Sequence, residues 1–167
     1  MKTVRVPLLC IALVIGACHG DSGTSQPKSD VHFHIPARAN KGPTVAELTK
    51  GMVDAASLGK SDLAVELKFD VRQRPAVGQT VEIDLALVPQ IDASPANIDM
   101  TGGDSLALAP GASSIVLPAV EAGRVYRESV KVTPSTDGVL VLSLNVSLIH
   151  DDITESRLFS IPLIVER

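Results

Sequence analysis

The stretch VLVLSLNVSLI, residues 139–149, decides the fold because large apolar residues recur in it at every second position. Successive side chains of a β-strand point to opposite faces, so this period of two predicts one long strand with one buried face. The residues expected to point into the core are Leu140, Leu142, Leu144, Val146 and Leu148.

The same alternation recurs along the chain between residues 63 and 165. Alternating strands are predicted at 63–71, 81–87 and 125–132, and shorter candidates, separated by Gly and Pro, at 98–100, 105–108 and 114–117. Asp151 and Asp152 mark a turn before a last strand over 157–165. Pro162 cannot donate a ladder hydrogen bond, so we expect that last strand at a sheet edge.

About seven short strands, about ten residues apart and with no long helices between them, predict an all-β, antiparallel β-sandwich. The segment TPSTDGVLVL, residues 133–142, resembles the approach to the penultimate strand of immunoglobulin-like and fibronectin III-like domains. The resemblance implies an immunoglobulin-like sandwich. The chain departs from antibody-type domains in having Leu140 and Leu142 where those domains have tyrosine and cysteine, and in having no tryptophan.

The amino terminus has the pattern of an export signal. Lys2 and Arg5 precede an apolar run over residues 6–17, which is too short to span a bilayer as a helix. The run ends in Ile15-Gly-Ala-Cys18, which resembles the bacterial lipobox. That resemblance implies a signal peptide over 1–17 and a lipid on Cys18. A signal cut elsewhere, or a buried amino-terminal element, is the alternative.

The predicted organisation is a signal peptide over 1–17, a lipidated Cys18 with a flexible tether over 18–60, and the sandwich over 61–167. The tether prediction rests on the Gly-, Ser- and Pro-rich residues 19–43, which offer few large apolar side chains. Thr44 and Glu47 have capping-box spacing, so a short helix is one interpretation of the residues that follow. A strand over 52–57 is the other.

Composition disfavours several classes of partner. The chain has 15 basic and 19 acidic residues and a formal net charge of −4, and loss of Lys2 and Arg5 with the signal would make it more acidic. An acidic domain repels nucleic acid and anionic lipid head groups. With no Trp, one Tyr and three Phe, there is little to stack on bases or on sugar rings. Nucleic-acid and carbohydrate binding are therefore disfavoured.

The candidates for metal binding are His32 and His34, which lie two apart and would share one face of an extended segment. His19 is a third candidate ligand for Zn²⁺ or Cu²⁺. No carboxylate or cysteine is spaced to complete a tetrahedral set, and Cys18 is unavailable if it is acylated. Solvated histidines in a tether are therefore the favoured interpretation, and no metal or cofactor is predicted.

His150, Asp151, Asp152 and Glu155 form the tightest polar cluster of the domain. A hydrolase would need a nucleophile held against His150, and the sequence contains no G-x-S-x-G elbow. A hairpin turn is the favoured interpretation of this cluster, and no catalytic residue is predicted. A second polar stretch, residues 90–104, offers three carboxylates for a cation or a recognition loop, although an irregular connection is favoured. They are Asp92, Asp99 and Asp104.

These observations predict a non-enzymatic lipoprotein of a bacterial envelope, anchored through Cys18 and acting in protein interaction or assembly, for instance through the edge of strand 157–165. His19 rather than Asp follows the cysteine, which in enteric-type bacteria favours the outer membrane, facing the periplasm. The partners expected are the membrane and an unidentified envelope protein. The alternative function is metal binding by the tether histidines.

Overall fold

A computed structural model describes residues 42–167 of the chain. This part contains one short helix followed by strands. The elements are α1 (Val45–Leu48), β1 (Val53–Asp54), β2 (Ala56–Leu58), β3 (Val65–Val71), β4 (Val81–Pro89), β5 (Ala96–Thr101), β6 (Leu106–Leu108), β7 (Ser114–Leu117), β8 (Tyr126–Pro134), β9 (Gly138–His150) and β10 (Ile153–Val165).

The strands form two antiparallel five-stranded sheets, which confirms the predicted β-sandwich. Sheet A has the order β1-β3-β4-β8-β6, and sheet B has the order β2-β10-β9-β5-β7. Every strand predicted from residue 63 onward is present, several of them longer than expected. The strand count exceeds seven partly because β1 and β2 form before residue 60. For that segment the sequence analysis allowed either a helix or a strand.

The connectivity of the long strands is that of an immunoglobulin domain. The order β3-β4-β8-β6 reproduces the A-B-E-D sheet of that fold, and β10-β9-β5 reproduces its G-F-C sheet. The short strand β7 extends sheet B beyond β5. From β4 to β9, consecutive strands therefore alternate between the two sheets, which lets the apolar faces of the sheets close on a common core.

The core lies between the sheets and is built by the alternation seen in the sequence. In β9 the residues Leu142, Leu144, Val146 and Leu148 are buried, and Leu140 is partly buried at the end of the strand. In β10 the buried positions are Phe159, Ile161, Leu163 and Val165. The predicted inward face of β9 is thus confirmed, because alternate residues must share a face.

β9 and β10 form a long hairpin that pairs continuously from His150↔Ile153 to Gly138↔Val165. Its two-residue turn places Asp151 and Asp152 at φ of 48° and 62°. Both central residues of a type I′ turn need positive φ, and aspartate tolerates that conformation better than most residues. The turn predicted at these two residues is present.

Helix and strand both occur in the segment before residue 60. Thr44 and Glu47 form a reciprocal capping box at the start of α1, and the helix ends within one turn. After Gly51, at φ +86°, the chain contributes β1 to sheet A and β2 to sheet B. Ala55 lies at the crossing point and is buried. This segment therefore adds an edge strand to each sheet.

The expectation that the last strand lies at a sheet edge needs correction, because β10 is second in sheet B. The short strand β2 pairs with Leu158–Ser160, and the backbone around Ala76 hydrogen-bonds Glu166. The outer side of β10 is therefore covered on either side of Pro162. Within residues 42–167, no helix has the length and apolar character needed to cross a membrane.

Candidate functional site

Two surfaces of the sandwich are candidates for function: a cleft at one end and the outer face of sheet B. The cleft lies at the tip of the β9–β10 hairpin and encloses about 520 Å³. It joins the residues that precede β5, those that follow β7 and the hairpin turn. Its lining residues are Asp92, Ala93, Ser94, Ala119, Val120, Glu121, Ile149, His150, Asp151 and Asp152.

His150 ties two of these segments together. Its Nδ1 lies 2.7 Å from the carbonyl oxygen of Asp92, and its Nε2 lies 3.1 Å from Oδ2 of Asp151. A carbonyl can only accept, so Nδ1 carries a proton in this arrangement. Both ring nitrogens thus face acceptor oxygens, and neither faces a nucleophile. The ring is placed to hold the loop against the turn.

Asp92 and Ser94 are also engaged by the fold. Asp92 Oδ1 accepts from the backbone N–H of Ala122 at 2.7 Å. The Ser94 hydroxyl donates to the carbonyl of Pro118 at 2.8 Å rather than to His150. Among residues 42–167, no group of three or more His, Cys, Asp or Glu side chains is placed to hold a metal ion. The cleft is a hydrogen-bonded junction between loops.

The structure separates the acidic residues that the sequence grouped. Asp92, Asp151 and Asp152 reach the cleft, whereas Glu155 is exposed on β10 opposite Leu148. Asp99 lies on β5 and accepts from Ser114 Oγ at 2.8 Å. Ser94, two residues from Asp92, and Glu121, which follows β7, also line the cleft.

Asp104 lies in the turn that precedes β6. Cys18, His19, His32 and His34, the predicted lipidation and metal-binding residues, lie outside the described residues.

The outer face of sheet A carries charges of both signs. Lys68 contacts Asp54 and lies 3.9 Å from Glu66, and the hydrogen bond to Asp54 raises the pKa of Lys68. Arg72 binds Asp84 through Nε at 2.8 Å and Nη2 at 3.0 Å, which raises the pKa of Arg72. One partner in each pair is exposed and the other is partly buried, so the pairs add little stability, but they mark this face as solvated.

The outer face of sheet B, which we call the neutral face, is different. Alternation and cross-strand register define its members, and Asp99 is the single ionisable residue among them. They are Ala56 and Leu58 of β2, Asn97, Asp99 and Thr101 of β5, Ser114 and Val116 of β7, Val139, Val141, Ser143, Asn145, Ser147 and Ile149 of β9, and Thr154, Ser156, Leu158, Ser160, Pro162 and Ile164 of β10.

The neutral face has an apolar end, and the middle of its central strand β9 is polar, while exposed Leu58, Leu158 and Val116 flank that middle. Val139 pairs with Ile164, and their exposures are 68% and 72%. Val141, 46% exposed, pairs with Pro162. Further along, the hydroxyls of Ser143 and Ser160 lie opposite one another. Contiguous exposed apolar side chains on an otherwise uncharged sheet are typical of a protein-interaction surface.

The geometry defines the chain as an immunoglobulin-like β-sandwich with one charged and one neutral outer face. No protein-family model matches the chain, and the curated proteins contain no match to it. Among solved structures it is similar to the GAE domain of GGA2p from Saccharomyces cerevisiae. That similarity has a TM-score of 0.42 and 11% sequence identity, and it covers 65% of this chain and 96% of the other.

Sequence reasoning missed the neutral face, although part of its signal was visible. The positions between the core residues of β9 are Val139, Val141, Ser143, Asn145 and Ser147, all uncharged. A solvated strand usually carries charge at such positions, so the absence of charge at these five positions could have been noticed in the sequence. The sequence did not show which strands lie beside β9, because β5 and β10 become its neighbours only in the folded sheet.

Proposed function

We propose that this chain is a lipid-anchored lipoprotein of a bacterial envelope whose sandwich is a non-enzymatic protein-interaction module. The neutral face is the binding surface. The single observation that carries the proposal is the absence of charge, apart from Asp99, across the outer side of sheet B. A face that lacks charges can be desolvated on binding without burying unpaired ions.

The contrast between the two outer faces supports the choice of surface. Sheet A exposes ion pairs around Lys68 and Arg72, and burying these under a partner would cost desolvation. Sheet B exposes Val139, Val141 and Ile164 at one end, and their burial is favourable. An interaction through sheet B therefore has the more favourable solvation balance.

The anchor rests on the sequence. The charged start, the apolar run over residues 6–17 and the lipobox-like Ile15-Gly-Ala-Cys18 together support acylation of Cys18. Mature lipoproteins carry two or more acyl chains, which anchor stably where one chain does not. Labelling of intact cells with a palmitate analogue tests this. We expect label on the wild-type chain and none on Cys18→Ala, and label retained by Cys18→Ala would contradict acylation at this residue.

Site-specific photocrosslinking in intact cells tests the interaction. A photoreactive residue at position 141 reports on the neutral face, and one at position 129 reports on the outer face of sheet A, where Ser129 is exposed. We expect discrete adducts from position 141 alone, and we expect Ser143→Arg to abolish them. Equal adducts from both positions, or adducts unaffected by Ser143→Arg, would refute the proposed surface.

A further inference from the structure

We infer that the neutral face binds a second copy of this chain, sheet against sheet, with the twofold axis running along the strand direction. The inference rests on the proposed function and names the partner of the same surface. Three features of the described residues carry it: the charge distribution, the area of the face, and the order of apolar and polar residues along its central strand β9.

The charge distribution favours a second copy. Two acidic copies repel each other, and the repulsion is weakest where the facing surfaces carry no charge. Stacking neutral face on neutral face buries no ionisable group other than Asp99 and its symmetry mate, and Asp99 already accepts from Ser114. Stacking the neutral face on sheet A of the second copy would instead bury Lys68 and Arg72.

The area of the neutral face fits a stable dimer. Five strands at about 4.8 Å per strand give a width of about 24 Å, and the outward residues of β9 extend over about 33 Å. Because β2, β5 and β7 are shorter than β9 and β10, the face covers roughly 600 Å². A standard protein interface buries about 800 Å² per partner, so this face supplies most of that area.

The order of residues along β9 selects the orientation of the second copy. Val139 and Val141 lie at one end of the face, and Ser143, Asn145 and Ser147 follow. A twofold axis along the strands places apolar end on apolar end and hydroxyls on hydroxyls. An axis across the strands through the middle of β9 would place Val141 on Ser147. The first arrangement buries apolar surface and satisfies the polar groups.

Edge-to-edge pairing of β10 with a second copy is the alternative way to form a dimer. Part of the edge of β10 is already covered within the chain. β2 covers Leu158–Ser160, and the backbone at residues 75–77 binds Glu166. The intervening segment contains Pro162, which has no N–H to donate. The covering segments and the proline limit a continuous intermolecular ladder.

Sedimentation velocity on the full-length protein tests the inference. The protein is kept in a mild detergent, so that its amino-terminal apolar run does not drive association. We expect wild-type protein to be dimeric at about 100 µM, a concentration at which interfaces of this size class associate. Ser143→Arg should be monomeric, and the matched variant Ser129→Arg on sheet A should remain dimeric. A monomeric wild type, or equal effects of both variants, would overturn the inference.

Cysteine crosslinking supplies a second readout with a variant that keeps side-chain size close to the original. An axis along the strands above β9 brings residue 141 of the two copies together. In a Cys10→Ala, Cys18→Ala background, Val141→Cys should form a disulfide-linked dimer under mild oxidation. Ser129→Cys should not. Crosslinking at 129 that equals crosslinking at 141 would contradict the geometry, and circular dichroism verifies that both variants are folded.

The two proposals fail in distinguishable ways. Photocrosslinked adducts from position 141 with twice the mass of the chain support the dimer. Adducts with the mass of a different protein, together with a monomeric wild type, overturn the dimer and leave the interaction function standing. No adduct from position 141 together with a monomeric wild type overturns both.

Discussion

Gly102 follows β5 at a point where the backbone of β6 approaches it closely. A Cβ built there would overlap the carbonyl oxygen of Leu106 and lie 2.8 Å from its Cβ. No rotamer change relieves a clash with backbone, so the turn would have to move. We predict that Gly102→Ala lowers the free energy of unfolding by about 3 kcal/mol, measured by urea denaturation.

The adjacent Gly103 is the matched control for this prediction. It has φ of +63° and open space around its Cβ position. Asparagine tolerates this left-handed conformation, so Gly103→Asn should cost no more than about 1 kcal/mol. If the two variants were equally destabilised, the close approach of Leu106 to Gly102 would not be the reason that this turn requires glycine.

Glu47 belongs to the capping box of α1, and its pKa can be measured. Its carboxylate accepts from the backbone N–H of Thr44 at 2.7 Å and from the Thr44 hydroxyl at 3.0 Å. Both bonds favour the charged form and hold the pKa of Glu47 below its ordinary value of 4.5. Because the folded pKa is lowered, the contribution of the cap is complete above the unfolded pKa. It is lost as the pH falls through the folded pKa.

We therefore predict that the Glu47 carboxyl titrates below pH 4.5 in an NMR titration of its side-chain carbon. Thr44→Ala removes the hydroxyl donor and leaves the backbone donor, so the pKa should move part of the way back. A titration at or above the ordinary glutamate value in the wild type would show that the capping box does not form in solution.

At the scale of elements, Arg157 joins the two sheets at one side of the sandwich. From β10 its Nε donates to Ser57 Oγ at 2.8 Å, and its Nη1 donates to the carbonyls of Leu63 at 3.1 Å and Val65 at 3.4 Å. The guanidinium thus connects β2 with the start of β3. Lysine carries one charged nitrogen and cannot reproduce this fork.

We predict that Arg157→Met lowers the free energy of unfolding by about 1–2 kcal/mol, since it leaves part-buried carbonyls without their charged donor. Arg157→Lys should recover only part of the loss. The control is Arg74→Met, because the Arg74 side chain is 87% exposed in its pair with Glu166, and it should change stability by less than about 0.5 kcal/mol. Equal losses at both positions in urea denaturation would contradict the role of Arg157.

For the whole molecule, one core shared by both sheets predicts one cooperative transition. Leu144 of sheet B is fully buried, and its replacement by Ala should cost about 2–5 kcal/mol. Tyr126 is the only tyrosine of a chain without tryptophan, and it lies in sheet A. Its fluorescence therefore reports on the sheet opposite the mutation.

We predict that Leu144→Ala shifts the Tyr126 fluorescence transition and the circular dichroism transition together. Ile153→Ala, at a side chain that is 62% exposed, should shift neither by more than about 0.5 kcal/mol. Separate transitions for the two probes would show that the sheets unfold independently.

Much of the fold could be predicted from the sequence, because burial of alternate residues leaves a periodic pattern. The inward face of β9, the turn at Asp151 and Asp152, and the capping box of Thr44 and Glu47 were all visible. Each depends on residues within a few positions of one another. The strand at 114–117 was predicted at its observed bounds for the same reason.

The candidate sites were less predictable, because they depend on residues far apart in the chain. The sequence placed His150 beside Asp151 but could not place Asp92 or Glu121 in the same cleft. It also could not show that Pro162 lies opposite Val141, or that its strand β10 is second from the edge of sheet B. Hydrogen-bond partners between strands leave no local pattern in either strand.

The sequence by itself determined the class of fold, the strand segments from residue 63 onward and the buried side of the long strands, because period-two burial is a local property of the chain. The tertiary structure alone decided which strands are neighbours, and so which outward side chains share a surface. Charge collects on the outer face of sheet A and is nearly absent from the outer face of sheet B because strand order, which long-range packing selects, assembles each face from distant segments.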